Sequence, residues 1–255
     1  MKNTFFAFFA FFAFFTDCAA KPPPFVVGEK IVFAVKFLGI QAGIGTFEVK
    51  DIVEVRGRKA YHIVATAEAV GILSMVYPFK DRMESFMDVE RLHSLRVIKS
   101  IKEGPYSKEE TLEFDQEKHL VTYMNKEGKV ERTETIHPDA QDLISAFFYF
   151  RTQEIEVGKY PMVKVHADGK NMDFSVQITG KETIKTLLGK QECFVVKPFV
   201  QFEEVFKYRG DVTLYVSNDE RLIPVYIKAD AIAGLVYCTL IEVVFPKDGI
   251  KKKVK

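Results

Sequence analysis

Residues 46–69 read TFEVKDIVEVRGRKAYHIVATAEA, and their reading decides the fold. Thr46–Val55 and Ala60–Ala69 alternate apolar and polar side chains and are rich in β-branched and aromatic types. Period-two alternation puts one set of side chains on each face of a strand. Arg56-Gly57-Arg58 between them supplies a tight reversal, so the stretch predicts an antiparallel hairpin.

The same pattern runs outward in both directions. Upstream lies Glu29–Phe37 (EKIVFAVKF). Downstream lie Phe79–Val89, His93–Glu103, Ser107–Asp115, Leu120–Asn125 and Lys129–Ile136. Farther on come Met162–Ala167, Asn171–Thr179, Gln191–Phe199, Phe202–Tyr208, Asp211–Ser217, Ile223–Ala229 and Leu235–Phe245. About fourteen strands at roughly 8–12-residue spacing predict a mainly β domain, a large curved antiparallel sheet forming an open barrel or β-roll.

Two segments break the alternation. Asp139–Arg151 (DAQDLISAFFYFR) carries apolar residues at helical spacing, with Asp142 near its start and Arg151 at its end. Phe147, Phe148, Tyr149 and Phe150 make its second half apolar nearly all round, which predicts one long helix buried against the sheet. Val70–Phe79 (VGILSMVYPF) is apolar and Pro-terminated. It predicts a short helix or loop, either part of the core or a greasy lid through Ile72, Leu73, Met75, Val76 and Tyr77.

The first twenty residues, MKNTFFAFFAFFAFFTDCAA, form a separate unit. Phe5–Phe15 is an unbroken apolar run about 16 Å long as a helix, half a bilayer core, which suits a signal peptide better than a membrane span. Cleavage before Lys21 would release a periplasmic protein. Cys18 offers a second route, an outer-membrane lipoprotein, although Asp17 is a poor neighbour for lipidation. The expected organisation is a signal peptide at 1–20, a Pro-rich spacer at 21–27, one β-rich domain at 28–246 and a solvated basic tail at 247–255.

The chain has 255 residues, 36 Lys+Arg and 35 Asp+Glu, for a net charge of +1. Such a balance gives no field to attract nucleic acid, and none is expected as a partner. Hydrophobic residues at 47% exclude a disordered chain. His62, His93, His119, His137 and His166 lie far apart without metal-ligand spacing, so neither a metal nor a cofactor is expected. There is no nucleophile elbow, zinc-protease motif or P-loop. Cys193 and Cys238 lie in predicted strands, either as a disulfide in an oxidising compartment or as two buried thiols.

An ordered set of residues resembles a known family. It comprises Gly28-Glu29, Leu38-Gly39-Ile40, Ala42-Gly43, then Asp81, Glu84, Ser85 and Asp88. Asp142, Ser145-Ala146, Arg151, Gly158 and Gly180-x-Glu182-Thr183 follow, and Ser217-Asn218-Asp219-x-Arg221-x-Ile223-Pro224-Val225 completes it. Over Gly28–Val244 the chain resembles the bacterial exported domain-of-unknown-function family numbered 3108. It departs where a Trp often precedes the Ser-Asn-Asp turn and Leu214-Tyr215-Val216 stands here. The resemblance implies an exported, mostly β envelope protein and no established activity.

Three functional readings follow. The first is a noncatalytic envelope protein holding an apolar or amphipathic molecule, a lipid or glycolipid, on Ile72, Leu73, Met75, Val76, Tyr77, Phe147, Phe148 and Phe150. The second is a glycan binder or hydrolase using Asp81, Glu84 and Asp142, which would need two carboxyl groups about 5–10 Å apart across a cleft. The third is a structural envelope protein with protein partners only. The basic tail adds a peripheral membrane contact as a further expectation.

Overall fold

The computed structural model describes residues 22–199, 212–231 and 234–254. The expected signal peptide and the Phe202–Tyr208 strand lie outside the described residues. Within them the chain is mainly β and forms one antiparallel sheet of fifteen strands that does not close.

The first meander is β1 (Lys30–Phe37), β2 (Ile40–Val55), β3 (Arg58–Ala69), β4 (Lys80–Asp88), β5 (Ser94–Glu103), β6 (Tyr106–Asp115), β7 (Leu120–Asn125) and β8 (Val130–Thr135). The second is β9 (Met162–Ala167), β10 (Lys170–Thr186), β11 (Gly189–Phe199), β12 (Val212–Ser217), β13 (Pro224–Ala231) and β14 (Gly234–Phe245). They join where β1 pairs with β14, from Lys30↔Val244 to Phe37↔Val236, leaving β8 and β9 as the two edges. Helix α1 (Gly71–Val76) links β3 to β4, and helix α2 (Leu143–Phe150) links the two edges.

The register explains the curvature. Shifts occur at Val35/Lys36, Val49/Asp51, Phe86/Met87 and Tyr215/Val216, and each bulge bends its strand. Beside the first, Gly43 packs so closely on β3 that an added Cβ would lie 3.0 Å from the Glu68 carbonyl. The basic tail is exposed, but part of it is paired as a strand. Gly249, at φ 63°, reverses the chain after a 3-10 turn at Pro246–Asp248. Ile250–Lys253 then pair as β15 with Glu242–Phe245, beyond the last rung of β13 on β14.

α2 is shorter than Asp139–Arg151 because the residues before it are taken by strands. Gln141 N–H donates to the Lys164 carbonyl and His166 N–H donates to the Gln141 carbonyl, both at 2.8 Å, while Ser94 N–H donates to the Ala140 carbonyl. This short connector spans the gap between β9 and β5. The helix behind it lies in the concave face. Ile144 and Phe148 pack with Tyr61, Ile63 and Met87, and Phe147 stacks on Phe47 with ring centroids 4.9 Å apart. Burying each such ring contributes about 1.5–3 kcal/mol.

A buried polar chain fastens the β9–β10 turn inside β7 and β8. The Tyr123 hydroxyl lies 2.7 Å from His166 Nε2, His166 Nδ1 lies 2.9 Å from Asn171 Oδ1, and Asn171 Nδ2 donates to the Thr135 carbonyl. Burial lowers the His166 pKa below its ordinary 6.5 and raises that of Tyr123 to about 12, so Tyr123 donates to a neutral imidazole. A depressed histidine binds its proton more weakly folded than unfolded. Stability present above about pH 6.5 is therefore lost as the pH falls. Urea denaturation from pH 7 to pH 5 is expected to show this decline, at most about 1.4 kcal/mol per pH unit from this residue. His166→Gln is expected to flatten it.

Candidate functional site

The two ends of α2 are held by buried polar clusters built from residues far apart in sequence. At the N-terminal end, Asp142 Oδ1 accepts from the backbone N–H groups of Ile144 (2.7 Å) and Ser145 (3.1 Å). Its Oδ2 accepts from the hydroxyls of Ser85 (2.7 Å) and Ser94 (2.6 Å). Ser145 Oγ accepts in return from Asp142 N–H at 3.0 Å, completing a capping box. Asp142 thus satisfies the helix start and ties it to β4 and β5 at once.

At the C-terminal end, Arg151 forms a forked pair with Glu29 at the mouth of β1, at 2.6 and 3.3 Å. Its Nε donates to the Arg221 carbonyl at 2.8 Å, and its guanidinium lies over the rings of Phe25, Phe147 and Phe148. Burial pushes the Glu29 carboxyl above its ordinary value, and Arg151 offsets only part of this.

A cleft of about 770 Å³ opens above this pair. One wall is the β12–β13 turn. There the Ser217 hydroxyl donates to Asp219 Oδ1 at 2.8 Å, and Arg221 pairs with Asp219 and reaches Asp248 at 3.4 Å. Burial would raise the Asp219 pKa, but Arg221 and Ser217 outweigh it and hold the carboxyl below its ordinary range. In this turn side chains bond local backbone, and Pro224 opens β13. Apolar walls come from Ile155, Phe194, Leu222, Phe245 and Ile250, and Pro22 and Pro24 line one side.

The residues expected to bind an apolar ligand are not brought together. Phe148 is fully buried, and Phe147 and Phe150 pack into the core. These rings support the sheet, because a helix apolar all round has no face left to offer. Ile72, Met75, Val76 and Tyr77 are exposed, with Leu73 half-buried beside them, on α1 at the opposite end of β1 from the cleft. Asp81, Glu84 and Asp142 are also separated. Glu84 is on the outer face of β4, bonded to His62 (2.6 Å) and Arg82 (2.9 Å). Asp142 is buried on the inner face, and Asp81 accepts from Lys102 N–H near the sheet end. Cys193 and Cys238 are free thiols. Their strands β11 and β14 are three places apart in the sheet, about 14 Å along it, too far for a disulfide. Among the described residues no group of three or more His, Cys, Asp or Glu side chains could hold a metal ion.

Sequence alone places Glu29 at the start of a strand, Arg151 at the end of a helix, and Asp219 and Arg221 in the ordered family set, with nothing to bring the four together. Their convergence depends on contacts across as many as 122 residues, which no local spacing reveals.

A family model described as "Protein of unknown function (DUF3108)" matches residues 32–239. No curated protein matches the sequence. Among solved structures, a β-barrel-like protein of domain of unknown function DUF1849 from Brucella abortus aligns with a TM-score of 0.56 and 8% identity, over 87% of this chain and 98% of that one. A DUF1089 family protein from Pseudomonas aeruginosa gives 0.40 and 9%, over 72% and 88%. One from Bacteroides fragilis, named as exported and with a YmcC-like fold, gives 0.35 and 12%, over 88% and 99%. The Brucella likeness concerns the fold alone.

Proposed function

The chain belongs to that family of unknown function, and from its geometry we propose a noncatalytic cell-envelope protein that holds an amphipathic molecule in the cleft above the Glu29–Arg151 pair. The observation that carries this reading is the pairing of an apolar wall with a polar rim whose two guanidinium groups are already held by Glu29, Asp219 and Asp248. Cavities of this size suit a small amphiphile.

The rim argues for an uncharged head. Arg151 is taken up by Glu29, and Arg221 by Asp219 and Asp248, so neither cation is left for an anionic group. Asn218, Glu220 and Lys247 are exposed at the cleft and offer donors and acceptors together. A hydroxyl-bearing head, as in a glycolipid, can use both. The noncatalytic reading is supported by the work Glu29 and Asp219 already do in ion pairs. The apolar leader at 1–20 supports export.

Calorimetry with dodecyl maltoside below its micelle concentration tests the proposal, with laurate as the anionic comparison. Saturable binding of the maltoside and weak or absent binding of laurate are expected. Ile155→Glu combined with Ile250→Glu is expected to weaken the maltoside roughly tenfold or more, by placing charge on the apolar wall. Failure of dodecyl maltoside to bind would remove the proposal.

A further inference from the structure

The end of the sheet opposite the cleft exposes apolar side chains from four neighbouring turns. Met75 is 85% exposed, Val76 77%, Ile72 69%, Leu38 63% and Ile40 62%. Hydrogen bonds hold these turns together. Leu38 N–H donates to the Leu235 carbonyl, Val70 N–H to that of Ala42, and Gly104 N–H to that of Pro78. α1 has no buried residue, and its side chains enter none of the six core clusters. Packing within the chain does not explain their apolar character.

We propose that this end docks on a phospholipid bilayer surface, with α1 and the β1–β2 turn entering the acyl boundary. The surface projects from turn tips and a single-turn helix, a shape that can sink into a fluid interface without a matching groove. Tyr77 and Tyr106, each about half exposed, sit beside it with polar tips suited to the headgroup level. Lys36, Lys80 and Lys102 flank it, exposed and with no ion pair among the described residues, so their stems can lie along the apolar patch while the ammonium groups reach lipid phosphates. Two of the neighbouring carboxylates are held by the protein. Asp81 accepts from Lys102 N–H and Glu103 from the Tyr77 hydroxyl, leaving Glu68, opposite Lys80 in register, as the third. With cations and carboxylates balanced, apolar insertion rather than net charge drives the contact, and high salt weakens it little.

Flotation with vesicles of phosphatidylethanolamine and phosphatidylglycerol tests this, using protein purified after export. The wild type is expected to float with the vesicles at low and high salt. Met75→Glu with Val76→Glu is expected to reduce the floated fraction roughly tenfold or more, with an unchanged unfolding midpoint because neither side chain is packed. The cleft variant Ile155→Glu is expected to float like wild type, so failure of the cleft proposal and failure of this one read out separately. Wild type remaining at the bottom of the gradient, or the Met75/Val76 variant floating undiminished, overturns the inference. So does a stable dimer that this variant dissolves while wild type ignores vesicles, since a second copy would then cover the patch.

Discussion

Arg151→Met is expected to lower the unfolding free energy by about 3–5 kcal/mol, the cost of leaving one partner of a buried ion pair uncompensated. Arg151 and Glu29 are both almost fully buried, so little of the stranded carboxylate would face water. The Arg221 carbonyl loses its donor as well, loosening the turn that walls the cleft. Because burial already raises the Glu29 pKa, removing the Arg151 guanidinium, its strongest opposing influence, favours the protonated carboxyl further. A carboxyl with a raised folded-state pKa is least costly below its ordinary value of 4.5, and its cost grows as the pH climbs through the folded value. The deficit measured by urea denaturation should therefore be smaller at pH 4 than at pH 7. Combining Arg151→Met with Glu29→Leu is expected to restore much of the loss, since an apolar pair of similar volume avoids the desolvation cost. A single variant within about 1 kcal/mol of wild type would show that the pair is not the clamp described.

Asp142→Ala acts at the other end of α2, with an expected loss of about 3 kcal/mol or more. The cap alone is worth about 1 kcal/mol, and the Ser85 and Ser94 hydroxyls would each lose a buried acceptor at a further cost of about 1–3 kcal/mol. Ser145→Ala removes the return half of the capping box and the 2.6 Å bond to the Ser94 hydroxyl, which keeps Asp142 as its acceptor, and should cost about 1 kcal/mol. Thermal unfolding of the two variants side by side checks the ranking. Equal losses would mean that Asp142 serves the helix alone and not the attachment of the helix to β4 and β5.

These clamps show which parts of the molecule could be read from sequence. Strands announce themselves locally, because alternation needs only neighbouring residues, and the hairpin at 46–69 was legible down to its turn. β2 extends farther toward the N-terminus than its alternation suggested, since Gly43 and Gly45 contribute no side chain to the pattern, and at Gly43 an added Cβ would press on the Glu68 carbonyl of β3. The start of α2 was misplaced for a tertiary reason: Ala140 and Gln141 have helical spacing but are hydrogen-bonded to β5 and β9. The Phe-rich half was correctly read as buried. Phe148 is fully buried there, and Phe147 and Phe150 are half-buried against the core. The cleft was out of reach because its ion pairs join the beginning, middle and end of the chain.

If the cleft at the C-terminal end of α2 holds an amphipathic molecule, the amides that line it respond to one. Amide chemical-shift mapping of the labelled, exported protein, titrated with dodecyl maltoside below its micelle concentration, tests it most directly. Saturable shifts are predicted at Thr152–Ile155, at Asn218–Leu222 and at Lys247–Ile250, the segments that line the cleft. Amides of those three segments that stay unmoved through the titration would contradict it.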